Sequence, residues 1–82
     1  METRVAVIGI IVEKPESAEK VNAVLHDYSD YIIGRMGIPY RQKDISIISI
    51  AMDAPQDAIS ALSGKLGRIP GVGVKAAFAK SF

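Results

Sequence analysis

The stretch Arg4-Val5-Ala6-Val7-Ile8-Gly9-Ile10-Ile11-Val12 decides the fold of this chain. It is too short to cross a membrane as a helix and is rich in β-branched residues, so it predicts a strand. Successive side chains of a strand point to opposite faces, and here neither set is polar. Both faces of the strand must therefore be covered. A second stretch, Ile45–Met52, has the same character and predicts a second central strand.

Between these two strands the sequence predicts a helix and a weaker strand. The helix runs from about Pro15 to Tyr28, because proline suits a first helical turn and apolar residues then recur along one stripe. The weaker strand covers residues 31–38, contains two glycines and is expected to end at Pro39.

The end of the chain predicts another helix followed by a last strand. Asp53 is the expected N-cap of this helix, and Gln56 would complete a capping box. Gly67 is the expected terminator. Alternation of apolar residues from Val72 onward predicts the last strand.

The predicted order is strand, helix, strand, strand, helix, strand, and a weak internal echo relates its two halves. The segment Lys14–Ala18 resembles the segment Ala54–Ala58. Such a double βαβ unit predicts an α+β class protein with a ferredoxin-like βαββαβ sandwich. Right-handed crossovers give a four-stranded antiparallel sheet of order 4-1-3-2 with two helices on one face. We expect residues 1–82 to form a single domain of this kind.

Because both helices lie on one side, the other face of the sheet is expected to expose the apolar residues of the central strands. A patch on the order of several hundred Å² is large for a monomer, and the chain ends offer few residues to cover it. At roughly 25 cal/mol per Å², its burial would contribute several kcal/mol before association costs. We therefore predict a homo-oligomer, a dimer or a tetramer, in which sheets pack together. The predicted oligomer interface consists of Val5, Val7, Ile11, Ile45 and Ile47.

Composition excludes several classes of function. The chain has no cysteine, so disulfides and thiolate metal sites are absent. Ten basic and nine acidic residues give a net charge of +1, without the basic cluster that direct nucleic-acid binding needs. The sequence shows no signal peptide and no apolar run long enough for a membrane span, which predicts a cytoplasmic protein without membrane contact.

The polar residues do not predict an enzyme or a metalloprotein. His26 is the only histidine and falls on the polar side of its helix, so a single chain lacks the ligands for a transition-metal site. No serine has a histidine partner in a pattern typical of a nucleophile, and no pair of carboxylates is marked out for acid–base chemistry. We expect no catalysis, no metal and no cofactor.

Two glycine–arginine motifs leave a choice of interpretation. Gly34-Arg35-Met36-Gly37 and Gly67-Arg68-Ile69-Pro70-Gly71 place a guanidinium beside flexible backbone, an arrangement that can hold a carboxylate or phosphate. Alternatively, the glycines serve a bulge and a helix end, while the arginines are solvated or ion-paired. Neither motif matches a phosphate loop or a dinucleotide fingerprint.

Three stretches carry a resemblance to a known family: Leu25–Tyr28, Ile33–Tyr40 and Gly64–Val72. With these motifs the chain resembles the regulators of the iron-only hydrogenase system, which are bacterial proteins of about this length. More distantly, it is similar to ACT domains and to the C-terminal domain of the nickel-responsive repressor. Those modules oligomerise and bind small effectors or nickel at subunit interfaces. The ACT effector loop would correspond to residues 12–15, which contain no glycine, and only His26 is present of the histidines and cysteine that the nickel module needs.

Residues and resemblance together predict a non-catalytic regulatory module that senses a small ligand or contacts a protein of the hydrogenase system. The alternative is a structural adaptor whose oligomer presents surfaces to partner proteins and holds no small molecule. The ligand is expected at the subunit interface, near Glu13, Lys14, His26, Arg35 and Arg68, with the motif glycines Gly34, Gly37, Gly67 and Gly71.

Overall fold

The structure, a computed structural model, describes residues 2–80. It contains four strands, β1 to β4, at Arg4–Val12, Ile32–Tyr40, Ile45–Ala54 and Val72–Phe78. Two helices, α1 and α2, follow β1 and β3 at Ala18–Asp27 and Gln56–Gly67. Short 3₁₀ turns occupy Pro15–Ser17, Ser29–Tyr31 and Arg41–Lys43.

The four strands form one antiparallel sheet of order β2-β3-β1-β4, with β1 and β3 in the centre. This is the predicted order 4-1-3-2 read from the other edge. The predicted α+β class and the ferredoxin-like βαββαβ arrangement are confirmed. The two strands that are apolar on both faces, β1 and β3, are the central ones.

One face of the sheet, the inner face, packs against both helices. The helices place apolar residues at the spacing of one helical stripe, and these are buried against β1 and β3. From the helices the core receives Val21, Leu25, Ile59, Leu62 and Leu66. From the central strands it receives Ala6, Ile8, Ile10, Val12, Ile48, Ile50, Met52 and Ala54.

The other face of the sheet, the open face, carries large apolar side chains in contact with solvent. Val7 is 48% exposed and Ile11 is 39% exposed, although both belong to a central strand. On the edge strand β2, Met36 and Ile38 are 57% and 47% exposed. This combination of a filled inner face and an apolar open face is unusual for a domain that acts alone.

Two predicted boundaries of the central and edge strands are wrong. Pro39 does not end β2 but lies within it and pairs with Ser46. An edge strand tolerates proline because one side of its backbone has no neighbouring strand. Asp53 belongs to β3, where it pairs with Val5 in β1, so cross-strand pairing extends the strand through the predicted N-cap.

The predicted ends of α2 also need correction. Its N-cap is Pro55, without a side-chain hydrogen bond, and Gln56 accepts a 2.6 Å hydrogen bond from Arg4 instead of completing a capping box. Gly67 is the last residue of α2, as predicted, but it is not in the left-handed conformation. The glycine with positive φ is Gly71, at +75°, four residues later.

Candidate functional site

Glu13, Lys14 and Gly71 meet at one end of the sheet, where β1 leads into α1 and α2 leads into β4. The backbone N–H of Glu13 donates a 2.7 Å hydrogen bond to the Gly71 carbonyl. The Lys14 side chain lies directly against Gly71, since a Cβ added there would be 2.6 Å from Lys14 Cγ. Next to them, the buried Ser17 hydroxyl donates a 2.7 Å hydrogen bond to the Pro70 carbonyl. These contacts hold the two connections together.

His26 lies away from this end of the molecule. It is an exposed residue in the last turn of α1, whereas Lys14 precedes the start of that helix. Ten residues of α-helix span about 15 Å, so one chain does not bring His26 to Glu13 and Lys14.

Arg68 lies at the same end as Gly71 but is directed along its own helix. It is the C-cap residue of α2, and its guanidinium lies 3.7 Å from the position of a Cβ on Gly64. No contact with Arg35 follows from this placement, because Arg35 belongs to the opposite edge of the sheet. The two glycine–arginine motifs therefore form separate sites in a single chain.

Arg35 lies on the inner face of β2, where it is paired with Ile50, and it reaches towards α1. Its guanidinium donates a hydrogen bond to the side-chain oxygen of Asn22. The two glycines of its motif point to different sides of the sheet: Gly34 pairs with Ala51 on the open face, and Gly37 pairs with Ile48 on the inner face.

A groove of about 170 Å³ separates α1 from β2. We call it the α1–β2 groove. Arg35 and Asn22 lie along it, Ser46 adds a hydroxyl, and Val12 and Ile48 belong to its apolar lining. In this groove Arg35, a predicted ligand-binding residue, meets polar groups from other elements around a concave surface.

Sequence reasoning missed Asn22 and Ser46. Ser46 gives a partial signal, because it is a polar residue within an otherwise apolar central strand; its inward direction, in register with Val12, is known from the structure. Asn22 gives a weaker signal, since it lies beside the apolar stripe of α1 where a polar residue is ordinary.

The open face contains a second, larger concavity of about 490 Å³. Gly9 and Gly73 leave it open by lacking side chains, and Ile11 and Ile47 border it, with Ser49 and Lys75 as its polar members. The residues predicted to form the oligomer interface alternate onto this side of the sheet. They are Val5, Val7 and Ile11 of β1 and Ile45 and Ile47 of β3.

Two structural findings bear on metals and membranes. Within residues 2–80, no three histidine, aspartate or glutamate side chains are grouped so as to hold a metal ion. Neither of the helices in the part of the chain that the structure describes is long and apolar enough to cross a membrane.

The strand order and the two helices on one face place the chain among ferredoxin-like α+β modules. The chain belongs to the TM1266-like family, described as "Iron-only hydrogenase system regulator, putative", whose pattern matches residues 4–76. The predicted family is confirmed. The family is thus described by a regulatory role in the iron-only hydrogenase system and not by an enzymatic activity.

Solved structures agree with this assignment. The uncharacterized protein TM1266 from Thermotoga maritima is 39% identical, with a TM-score of 0.92 over 96% of this chain and 100% of that one. The C-terminal domain of the MgtC protein from Mycobacterium tuberculosis is 15% identical, with a TM-score of 0.74 over 95% of this chain and 89% of that one. A formyltetrahydrofolate deformylase from Pseudomonas putida KT2440 is 13% identical, with a TM-score of 0.65 over 89% of this chain and 28% of that one. The last two share the fold. No curated protein matches the chain.

Proposed function

We propose that this protein is a non-catalytic, cytoplasmic regulatory module of the iron-only hydrogenase system that works as a homo-oligomer. In this role it senses a small ligand or contacts a protein of that system. The observation that carries the proposal is the open face, where large apolar side chains of β1 and β2 are 39–57% exposed. Their burial against a second copy would contribute roughly 25 cal/mol per Å² before association costs.

The shape of the open face supports a second copy as its occupant. Met36 and Ile38 protrude from the β2 side, whereas Gly9 and Gly73 leave a hollow on the side of β1 and β4. A two-fold axis parallel to the strands places β2 of one copy opposite β1 and β4 of the other, so each protruding edge would enter the hollow of the other copy. One face that supplies both the protrusion and the hollow is suited to an isologous dimer, and two dimers can associate further into a tetramer.

The oligomer is tested by placing a charge in the middle of the open face. We expect the wild-type protein to be a dimer or tetramer at micromolar concentration and the Ile11→Lys variant to be a folded monomer. Sedimentation equilibrium and native mass spectrometry measure the subunit count, and circular dichroism checks the fold. Ala23→Lys is the matched control, because it adds the same charge on an exposed position of α1. A monomeric wild-type protein, or an Ile11→Lys variant with the wild-type subunit count, would contradict the proposal.

The regulatory role is tested in cells that contain an iron-only hydrogenase and lack this protein. Wild-type protein and Ala23→Lys should restore the hydrogenase activity of the parent strain, and Ile11→Lys should not. Equal activity with and without the protein would reject the link to the hydrogenase system.

The adaptor without a small-molecule ligand is the second candidate, and the composition of the open face favours it. The hollow there is bordered mainly by glycine and isoleucine, which suits a dry, filled interface. Native mass spectrometry of protein purified from its own host separates the two, because a sensor retains a small molecule and an adaptor shows only the mass of its subunits.

A further inference from the structure

We propose that the α1–β2 groove binds a small carboxylate that carries a short apolar body. The proposal deepens the sensor function proposed above by giving it a site and a class of ligand. The groove lies on the inner side of the sheet and is built by one chain, so it does not depend on how the open face is covered.

The polar side chains of the groove offer more hydrogen-bond donors than acceptors. Arg35 has five N–H donors, and Asn22 accepts from one of its two terminal nitrogens. This hydrogen bond uses the acceptor oxygen of Asn22 and leaves its amide N–H groups as donors. Ser46 adds a hydroxyl from the neighbouring strand β3. No aspartate or glutamate belongs to the lining, so the charge of Arg35 favours an anion there.

The apolar part of the groove favours a ligand with a hydrocarbon portion. Val12 and Ile48 are the core residues that reach it. Ile48 is 8% exposed, whereas Ile50, the next inward-pointing residue of the same strand, is fully buried. A free inorganic anion would leave this apolar surface in contact with water. A carboxylate with a branched body would place its charge at Arg35 and cover Ile48.

Gly37 explains why the groove exists. It is paired with Ile48 on the inner face, so a side chain at this position would point towards α1. A Cβ added there meets nothing within 4 Å, and the backbone is not in the left-handed conformation. Neither a lack of space nor the φ angle therefore requires a glycine at position 37. Its absent side chain helps to keep open a groove of about 170 Å³, the volume of several water molecules at about 30 Å³ each. That volume fits a compound of few carbon atoms.

The test is a titration of isotopically labelled protein followed by amide chemical shifts. The probes are 3-methylbutanoate, its neutral counterpart 3-methylbutanol, and inorganic phosphate. We expect 3-methylbutanoate to shift the amide signals of Asn22, Arg35, Gly37 and Ser46 saturably. The alcohol, which lacks the charge, and phosphate, which lacks the apolar body, should each bind at least about tenfold more weakly, in line with the loss of one charged hydrogen bond or of the apolar contact.

Two variants and one control decide whether the shifts report the groove. Gly37→Leu fills the groove and should abolish saturable binding, while Gly67→Leu adds the same side chain at an open position at the end of α2 and should bind as the wild type does. Arg35→Gln should weaken 3-methylbutanoate about tenfold or more and remove its advantage over the alcohol. Well-dispersed spectra show that each variant is folded.

Several outcomes would overturn the proposal: no saturable shift with 3-methylbutanoate, equal affinity for all three probes, or unchanged binding by Gly37→Leu. The monomeric Ile11→Lys variant should bind as the wild type does, since the groove belongs to one chain. If the titration fails and the wild-type protein is an oligomer, only the proposed ligand site in the groove is rejected. If the wild-type protein is a monomer and binds the carboxylate, only the proposed oligomer is rejected.

Discussion

Gly71 is the position where a single residue is most tightly specified by its surroundings. Its φ of +75° lies in the left-handed region, and a Cβ there would be 2.6 Å from Lys14 Cγ and 3.1 Å from Lys14 Cβ. Both the backbone and the Lys14 contact therefore disfavour a side chain at position 71, where the connection from β1 to α1 meets the connection from α2 to β4.

We expect Gly71→Ala to lower the free energy of unfolding by about 1–2 kcal/mol from the left-handed backbone alone, and by more where Lys14 cannot move aside. Urea denaturation at a fixed protein concentration measures the change. In the double variant Lys14→Ala/Gly71→Ala, part of the loss should be recovered, because the side chain that meets the new Cβ is shortened.

Gly67→Ala is the matched control for this prediction. Gly67 ends α2 with an ordinary φ, and a Cβ added to it would have nothing within 4 Å, so alanine there should cost no stability. If Gly71→Ala were as stable as Gly67→Ala, the conformational requirement at residue 71 would be rejected.

At the scale of the elements, the central strands show how far the sequence could determine the structure. Alternation established that β1 and β3 are apolar on both faces, and this fixed their central position. It did not distinguish the two faces, because valine, isoleucine and alanine occur on both. The side that meets the helices is set by the handedness of the crossovers, which is a property of the connections and not of the strand sequence.

The candidate site was predictable only in part for a related reason. The motif Gly34–Gly37 identified Arg35, since a guanidinium beside glycine is a local signal. Its partners Asn22 and Ser46 come from other elements and are set by packing and register. His26 was expected near Lys14 at a subunit interface, whereas the length of α1 separates them in one chain.

Ile10 and Ile11 test the difference between the two faces of β1 with the same substitution. Ile10 is 1% exposed on the inner face, and Ile11 is 39% exposed on the open face. We expect Ile10→Ala to lower the free energy of unfolding by about 2–5 kcal/mol, because it leaves a cavity in the core. Urea denaturation of the monomeric Ile11→Lys background isolates this effect from assembly.

The neighbouring substitution should act on assembly instead. Ile11→Ala should weaken the association constant measured by sedimentation, with a smaller effect than Ile10→Ala on the fold of one chain. If both substitutions lowered the free energy of unfolding of one chain equally, the prediction would be wrong. The open face would then stabilise a single chain as much as the inner face does.

At the scale of the whole molecule, a chain of 82 residues is near the lower limit for one hydrophobic core, and it has no disulfide to assist it. Its core occupies one side of the sheet only. Association through the open face would add a second apolar layer shared between copies. The stability of the fold and the presence of the oligomer should then be linked.

This linkage predicts a melting temperature that depends on protein concentration. For a dimer, tenfold dilution removes about 1.4 kcal/mol per pair of chains, or about 0.7 kcal/mol per chain. With about 4–8 °C per kcal/mol for a domain of this size, the wild-type melting temperature should fall by about 3–6 °C. The Ile11→Lys variant should melt at the same temperature at both concentrations, because a monomer has no association to lose, while Ala23→Lys should follow the wild type. A wild-type melting temperature that does not change over a hundredfold dilution would contradict this prediction. It would mean that one chain stays folded with its open face exposed to water and needs no second copy.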